Sequence, residues 1–415
     1  PETIAESAAL TSRLDALATL KMTSGEIADR YQIPLQEAVQ AARTDGKDAA
    51  AKQLKQQLKQ QAGQGNGPAV PIRELNEAKL LRAIYSERQL EEQLVDFWFN
   101  HFNVNAQKGA VRLLLTSYER DAIRPHVWGK FRDLLGATAE HPAMLFYLDN
   151  WQSSVPQAQG PFAKAKAKQA AGINENYARE LLELHTLGVD NGYTQQDIVD
   201  VARCFTGWTI VQPRLGGSFA FVERMHDRGE KTVLGVKIAA GGGKSDGDRV
   251  LDILARRPET AHFVSLKLAQ RFVADDPPAA IVDRMAKKFR ETDGDLRAVV
   301  TAMVESPEFF SEGAFQTKMK TPLEFVTSVV RASGAEVRNP LPLAQKLNDL
   351  GQPLYRKVEP TGYSTMAAEW VNSGALLQRM NFALDLTSNR VQGSRVAAAE
   401  SGKGQQYGSP DFQRR

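Results

Sequence analysis

The sequence predicts a mainly α-helical, multi-helix globular protein with one small inserted β-hairpin. Three observations carry that reading. Apolar residues recur at intervals of three and four through most of the 415 residues, the spacing of one buried helix face. Asn, Thr, Asp and Ser precede many of those runs, and Gly or Pro follows them, as caps and stops do. A single stretch, 218–238, is rich in Val, Phe and Thr around a central turn signal.

In chain order, Ser24 opens a short capped helix, and 49–61 is a Lys/Gln/Ala helix with a thin apolar face. Gly63-Gln-Gly-Asn-Gly-Pro68 then breaks the pattern, so residues 1–68 are expected to form a helical appendage and linker, and 69–415 the body. One long helix is expected from Leu75 to Phe102. Further helices follow over 113–123, 127–135, 142–148, 174–187 and 195–208, the last opened by a Thr194/Asp197 capping box. The expected hairpin pairs 218–225 with 231–238 across a turn at Asp227-Arg-Gly229. Helices resume over 248–254, 258–273, 280–291, 296–304, 321–332 and 341–350, with a last one from Met366 into the Arg379 region.

Composition narrows the function. A net charge of +3 with scattered Lys and Arg does not make a nucleic-acid surface, and the short 164–168 lysine run reads as a solvated loop. No apolar run approaches the ~18 residues of a membrane span. The chain begins at Pro1, which fits removal of an upstream leader. Cys204, the only cysteine, cannot form an internal disulfide and lies in an apolar helix stretch, where it packs as a small core residue. Gly241-Gly-Gly-Lys-Ser245 lacks the first glycine of a phosphate loop, because Ile238 stands there.

The most informative segment is Asn174–Gly188 (NENYARELLELHTLG). It reads as one helix with Asn174 as N-cap, Glu175 in the positive first turn and Gly188 as stop. At about 100° per residue, Ile173, Tyr177, Leu181 and Leu184 share an apolar arc. Asn176, Glu180 and Glu183 form a polar stripe beside it, with Glu180 nearest the apolar edge. Carboxylates at the margin of a buried face cost desolvation energy, so they need partners or a purpose. Arg179 and Glu183, one turn apart, make a helix-surface pair of only ~0.3–0.5 kcal/mol. Glu180 and Glu183 are near enough for one to raise the other's pKa in a dry cleft. A glycosidic mechanism needs a second acid from elsewhere, with Asp149 or Asp227 as the candidates.

Metal spacing is absent from this helix. Glu180-x-x-Glu183 lacks the histidine of a di-iron motif, His185 projects away from both carboxylates, and Glu259-x-x-His262 occurs once. No Cys/His cluster has zinc spacing, and no cofactor is named by any motif. His101 falls on the apolar arc of its helix and reads as a core histidine. His226-Asp227 closes the hairpin's first strand, where Asp shapes turns and His shuttles protons near neutrality. Trp98, Trp151, Trp208 and Trp370 are available to stack a sugar.

Several ordered blocks make the chain resemble the bacterial family of domain of unknown function 1800. They are Phe97–Val104 (FWFNHFNV), Met144–Asn150 (MLFYLDN), Asn174–Gly188 and Gly192–Asp197, Phe205–Thr209, and His226–Gly235 (HDRGEKTVLG). Later come Thr260-Ala261 with Lys267-Leu268, then Ser306–Phe309, Lys320–Phe325, Trp370–Asn372 and Ser409–Arg415. The resemblance covers roughly residues 73 to 415. It implies export to the envelope, since relatives commonly carry export signals. It also implies a working partner in a sulfatase-like family, domain of unknown function 1501. It supplies no chemistry of its own.

The functional expectation is a hydrolase or lyase acting on an envelope polymer, periplasmic or secreted. Glu180, Glu183, His226 and Asp227 are its candidate catalytic groups. Asp149, Asn150, Asn176, Arg179, Trp208 and Lys231 are its candidate binding residues. The competing reading is a non-catalytic envelope binding or assembly protein, whose polar stripe is a packing network.

Overall fold

A computed structural model of the chain describes residues 3–34, 40, 67–155 and 172–415. Helices dominate, and the strands form three two-stranded antiparallel sheets. The N-terminal elements are α1 (Ala8–Asp15) and α2 (Ser24–Ile27), the latter started by a Thr23/Glu26 capping box. The expected 49–61 helix lies outside the described residues, as does most of the 63–68 breaker.

The long helix expected from Leu75 to Phe102 is instead two, α3 (Val70–Tyr85) and α4 (Gln89–His101). Ser86 breaks it by turning extended, its hydroxyl accepting from the Arg88 N–H and donating to Glu6. Serine competes for local backbone bonds in this way, and periodicity cannot show it. Next come α5 (Val111–Ser117), continuing as a π segment Tyr118–Ile123, then α6 (Phe131–Glu140) and α7 (Pro142–Tyr147). The Asn174 region is α8 (Asn176–Glu180) followed by another π segment, Leu181–Thr186. The expected capping box opens α9 (Gln195–Cys204), which buries Cys204.

Where a single hairpin is expected over 218–238, the chain makes two. β1 (Trp208–Ile210) pairs with β2 (Phe219–Phe221), and β3 (Lys231–Val233) pairs with β4 (Val236–Ile238). The second turn is Leu234-Gly235, both at positive φ, the two-residue geometry whose twist matches the strands. Leucine is a rare choice there, and its N–H is held by Asp197 Oδ1 at 2.6 Å. The remaining helices are α10 (Ser245–Ala255), α11 (Pro258–Phe272), α12 (Ala279–Glu291), α13 (Leu296–Val304), α14 (Pro322–Ala332) and α15 (Leu341–Asp349). The helix expected from Met366 is two, α16 (Ala367–Trp370) and α17 (Ser373–Thr387), because Asn372 caps the second through the Ala375 N–H. A last turn, α18 (Gly404–Tyr407), packs on α17, and β5 (Glu336–Val337) pairs with β6 (Ser394–Arg395).

One apolar core runs from Leu75 to Tyr407 through nearly all of these elements. The chain's C-terminus is built into it. Arg415 exchanges backbone bonds with Lys318, and its side chain meets Glu324 at 2.9 Å beside buried Arg271.

Candidate functional site

The helix starts one residue later than expected: Glu175 is the N-cap of α8 and makes no side-chain cap bond, while Asn174, just before it, accepts from the Asn176 N–H at 2.9 Å and donates from its amide to the Asp149 carbonyl at 3.0 Å. The π segment then changes the phase of the helix. A π turn bonds five residues apart rather than four, which rotates everything after it. The buried set is therefore Tyr177, Ala178, Leu181, Leu182, His185 and Thr186, and Leu184 leaves the core for the wall of a cavity. Thr186 Oγ1 satisfies the Leu181 carbonyl at 2.6 Å. The His185 carbonyl, near the end of the segment, accepts from His101 Nε2 at 3.1 Å. His101 is thus a satisfied core histidine. Burial pushes both histidines down to about 3.

Glu180 is half-buried and, among the described residues, makes no hydrogen bond or ion pair. Arg179 goes to Glu183 (3.3 Å), Glu175 (3.6 Å) and Gln195 instead. Partial burial holds the Glu180 carboxyl above the ordinary carboxylate range, with the Glu183 charge adding to the effect and Arg179 opposing it. Its charge reaches Tyr147, whose phenol is pushed up by burial and then by Glu180. The expected direct partner for Glu180 does not appear, and the stripe separates into a paired Glu183 and an unpaired Glu180.

The His226-Asp227 region builds a different, closed cluster. His226 is buried, with Nδ1 on the Thr206 carbonyl (2.8 Å) and Nε2 on Asp246 Oδ2 (3.1 Å). Lys231, also buried, meets the same Asp246 oxygen at 2.6 Å and donates to the Asp227 carbonyl. Burial works against the Asp227 charge, but Arg203 at 2.9 Å and the Gly229 N–H hold its carboxyl below the usual range. This hairpin docks on α9 through Asp197 and Asp200, and α9 in turn packs on α8. No hydrogen bond or ion pair joins His226 or Asp227 to Glu180 or Glu183. His226 and Lys231 are fully engaged within the fold, and their neighbour Asp246 carried no signal in the sequence beyond being one acid among many.

The other expected binding residues scatter. Asn150 is buried and its amide donates to the Phe205 and Trp208 carbonyls, both at 3.2 Å. Trp208 is core, with Lys244 over its ring at 4.9 Å and Gly247 against it. Asp149 has a left-handed backbone and pairs with Lys108 at 2.7 Å. Asn176 is exposed. None of these four meets Glu180.

What the sequence reading missed is a cavity of 560 Å³ beside the π segment that follows α8, reached by Leu184 and walled by α4, α11 and the 357–366 loop. Its size falls within the ordinary range for small-molecule sites. Three of the family-like blocks supply its wall: Phe97, Asn100 and His101 from the first, Lys267 from the second, and Trp370 with Asn372 from the third. The loop is held by side chains from elsewhere. Asn100 grips the Tyr363 peptide from both sides (2.8 and 2.7 Å). Asn103 takes the Glu359 carbonyl (2.9 Å), Tyr147 the Val358 carbonyl (2.6 Å), and Trp370 the Ser364 carbonyl (2.9 Å). Gly362, at φ +71°, lies so close to the Asn100 carbonyl that a Cβ would collide with it. Tyr147 therefore links the two features: its hydroxyl anchors the cavity loop and feels the charge of Glu180. The signal was present in the order of the blocks, but nothing in a linear sequence shows that they converge.

Among the described residues, no group of three or more His, Cys, Asp or Glu side chains is placed to hold a metal ion, and no helix is long and apolar enough to cross a membrane. No curated protein and no solved structure matches the chain. A family model does match, described as a protein of unknown function (DUF1800), over residues 5–411. The ordered blocks that line the cavity and build α8 are thus parts of a member of the DUF1800 family, to which this chain belongs.

Proposed function

We propose that this protein is a hydrolase or lyase acting on a polymer of the bacterial envelope, with Glu180 as its acid–base group and the neighbouring cavity as the seat of the substrate. One observation carries the reading. Glu180 is a half-buried carboxyl without a protein partner, and its proton affinity is raised by burial and by Glu183. The buried carboxylates Glu324 and Asp96 are paired and lowered instead, and Glu77, which burial also raises, lacks the neighbouring cavity. A proton donor needs a carboxyl that keeps its proton closer to neutrality. The π segment directly after Glu180 supports the reading, since such turns recur at functional sites. Export, an envelope substrate and a sulfatase-like partner of the domain of unknown function 1501 family are inferred from the family resemblance.

The test uses the full chain incubated with isolated envelope polysaccharide and peptidoglycan, with released fragments read by mass spectrometry. Glu180→Gln is expected to lower release by about 10²- to 10⁴-fold. Its melting temperature at pH 7 should match or exceed that of the parent, because a carboxyl with a raised folded pKa costs stability once ionised. Equal release by both proteins removes Glu180 from the chemistry. Binding without release from any fraction returns the protein to the non-catalytic class.

A further inference from the structure

The cavity contains one charge that the fold does not answer. Lys267, half-buried, projects from α11 into it, with its ammonium 5.8 Å from the centre of the Phe263 ring. Among the described residues it makes no hydrogen bond and no ion pair. Other buried or half-buried lysines have polar partners: Lys231 meets Asp246, Lys79 meets Asp96, Lys318 meets Asp275, and Lys320, which has no ion pair, donates to the Phe412 carbonyl at 2.6 Å. The second lysine on the cavity wall, Lys357, is paired with Glu359 at 3.0 Å. The one acid on the wall, Glu369, is exposed and makes no pair with Lys267. A partly desolvated ammonium without a counter-charge is costly, and the cost is recovered when a ligand brings an anion. Burial of the amine lowers its proton affinity, the direction that an arriving anion would reverse.

We infer that the 560 Å³ cavity binds a polar ligand through an oxyanion set on the Lys267 ammonium, with Asn100, Gln270 and Asn372 facing its neutral part. The volume suits a sugar unit or two, and the mixed polar and aromatic wall suits a hydroxylated ring, with Trp370 and Phe263 offering flat faces. The oxyanion is a carboxylate, a sulfate ester or a phosphate, the three forms in which envelope sugars carry negative charge. This inference names the substrate class for the site proposed above and rests on that reading only for the reaction, not for the binding.

The experiment is competitive labelling of Lys267 by an amine-reactive acetyl donor in the full chain, read by peptide mass spectrometry. The added ligands are glucuronic acid, glucose 6-sulfate, glucose 6-phosphate and, as the uncharged control, glucose. At least one charged sugar is expected to slow acetylation of Lys267 five-fold or more at millimolar concentration, while glucose does not. The sugar that protects best tells which oxyanion the site takes. Calorimetric titration of Lys267→Met should lose the preference for the charged sugar, and Lys267→Arg should keep part of it. Protection by glucose equal to that by every charged sugar, or by none of the four, overturns the inference, as does an unchanged preference in Lys267→Met. Glu180→Gln separates the two proposals. If it abolishes release but keeps the charged-sugar protection, both stand. If release persists, Glu180 is not the acid–base group and the oxyanion site is untouched.

Discussion

At the scale of single residues, burial decides which groups titrate. His101, His141 and His185 are all pushed down to about 3 by desolvation. His141 must stay neutral for a second reason, since its Nδ1 accepts the Ala143 N–H at 3.1 Å as a helix cap. In the unfolded chain each returns to near 6.5. Below that value the unfolded state binds protons that the folded state refuses, so stability is full above pH 6.5 and falls as pH drops toward 3. Three such groups give a limiting slope of about 4 kcal/mol per pH unit, before the lowered carboxyls of Asp96, Glu119 and Glu324 add their share below pH 4.5. Urea unfolding at pH 7, 6 and 5 measures this, and stability that stays level from 7 to 5 refutes it. Position along a helical arc was enough to mark His101 as core. It was not enough to find Lys267, because the lack of a partner is a property of the surroundings and leaves no mark on the residue itself.

At the scale of elements, the sequence was most legible where caps are strong and least where the helix changes pitch. The Thr194/Asp197 box, the Gly188 stop and the helices from 258 to 332 fall where spacing and caps place them. The π segments do not, because a 100° wheel assumes the pitch that they abandon. Leu184 was assigned to the buried arc for that reason and lines a cavity instead. The hairpins failed differently. Asp227-Arg-Gly229 does make a local turn, with Asp227 Oδ1 accepting the Gly229 N–H at 2.8 Å, but it joins no paired strands, and the hairpin reversal occurs at Leu234-Gly235. The cavity loop allows a direct test of element geometry. Gly362→Ala adds a left-handed penalty of about 1–2 kcal/mol and a collision with the Asn100 backbone. Gly241→Ala, at φ +84° with open space around it, carries the backbone penalty alone. Denaturant unfolding should therefore show Gly362→Ala as the more damaging of the two, with Lys267 protection by the charged sugar also lost. Equal effects would mean that the loop yields without cost.

At the scale of the whole molecule, the two chain ends clasp the body. The described N-terminal residues are docked on it: Leu10 and Leu17 pack with Ala78 and Leu81, Ile27 and Tyr31 with Val70 and Leu113, and Arg120 holds the Leu20 and Met22 carbonyls. Cleavage in the glycine-rich 63–66 stretch is accordingly expected to leave both pieces together on gel filtration, parting only in denaturant. A body fragment that elutes alone in native buffer would show that the N-terminal helices are a detachable appendage.

The way in which the 357–366 loop is fastened has a further consequence. Asn100, Asn103, Tyr147, Trp370 and Lys318 all take hold of its peptide groups, at Tyr363, Lys357 and Glu359, Val358, Ser364 and Thr365. Grips of that kind read the main chain and ignore most of what hangs from it. Of the loop's own side chains, Tyr363 adds to the hold by donating to the Pro353 carbonyl at 2.7 Å, and Lys357 by pairing with Glu359 at 3.0 Å, while the grips on the peptide groups do not depend on which side chains the loop carries. Exchange of side chains at the loop positions outside those contacts therefore changes what the cavity presents to an occupant while the enclosure keeps its outline.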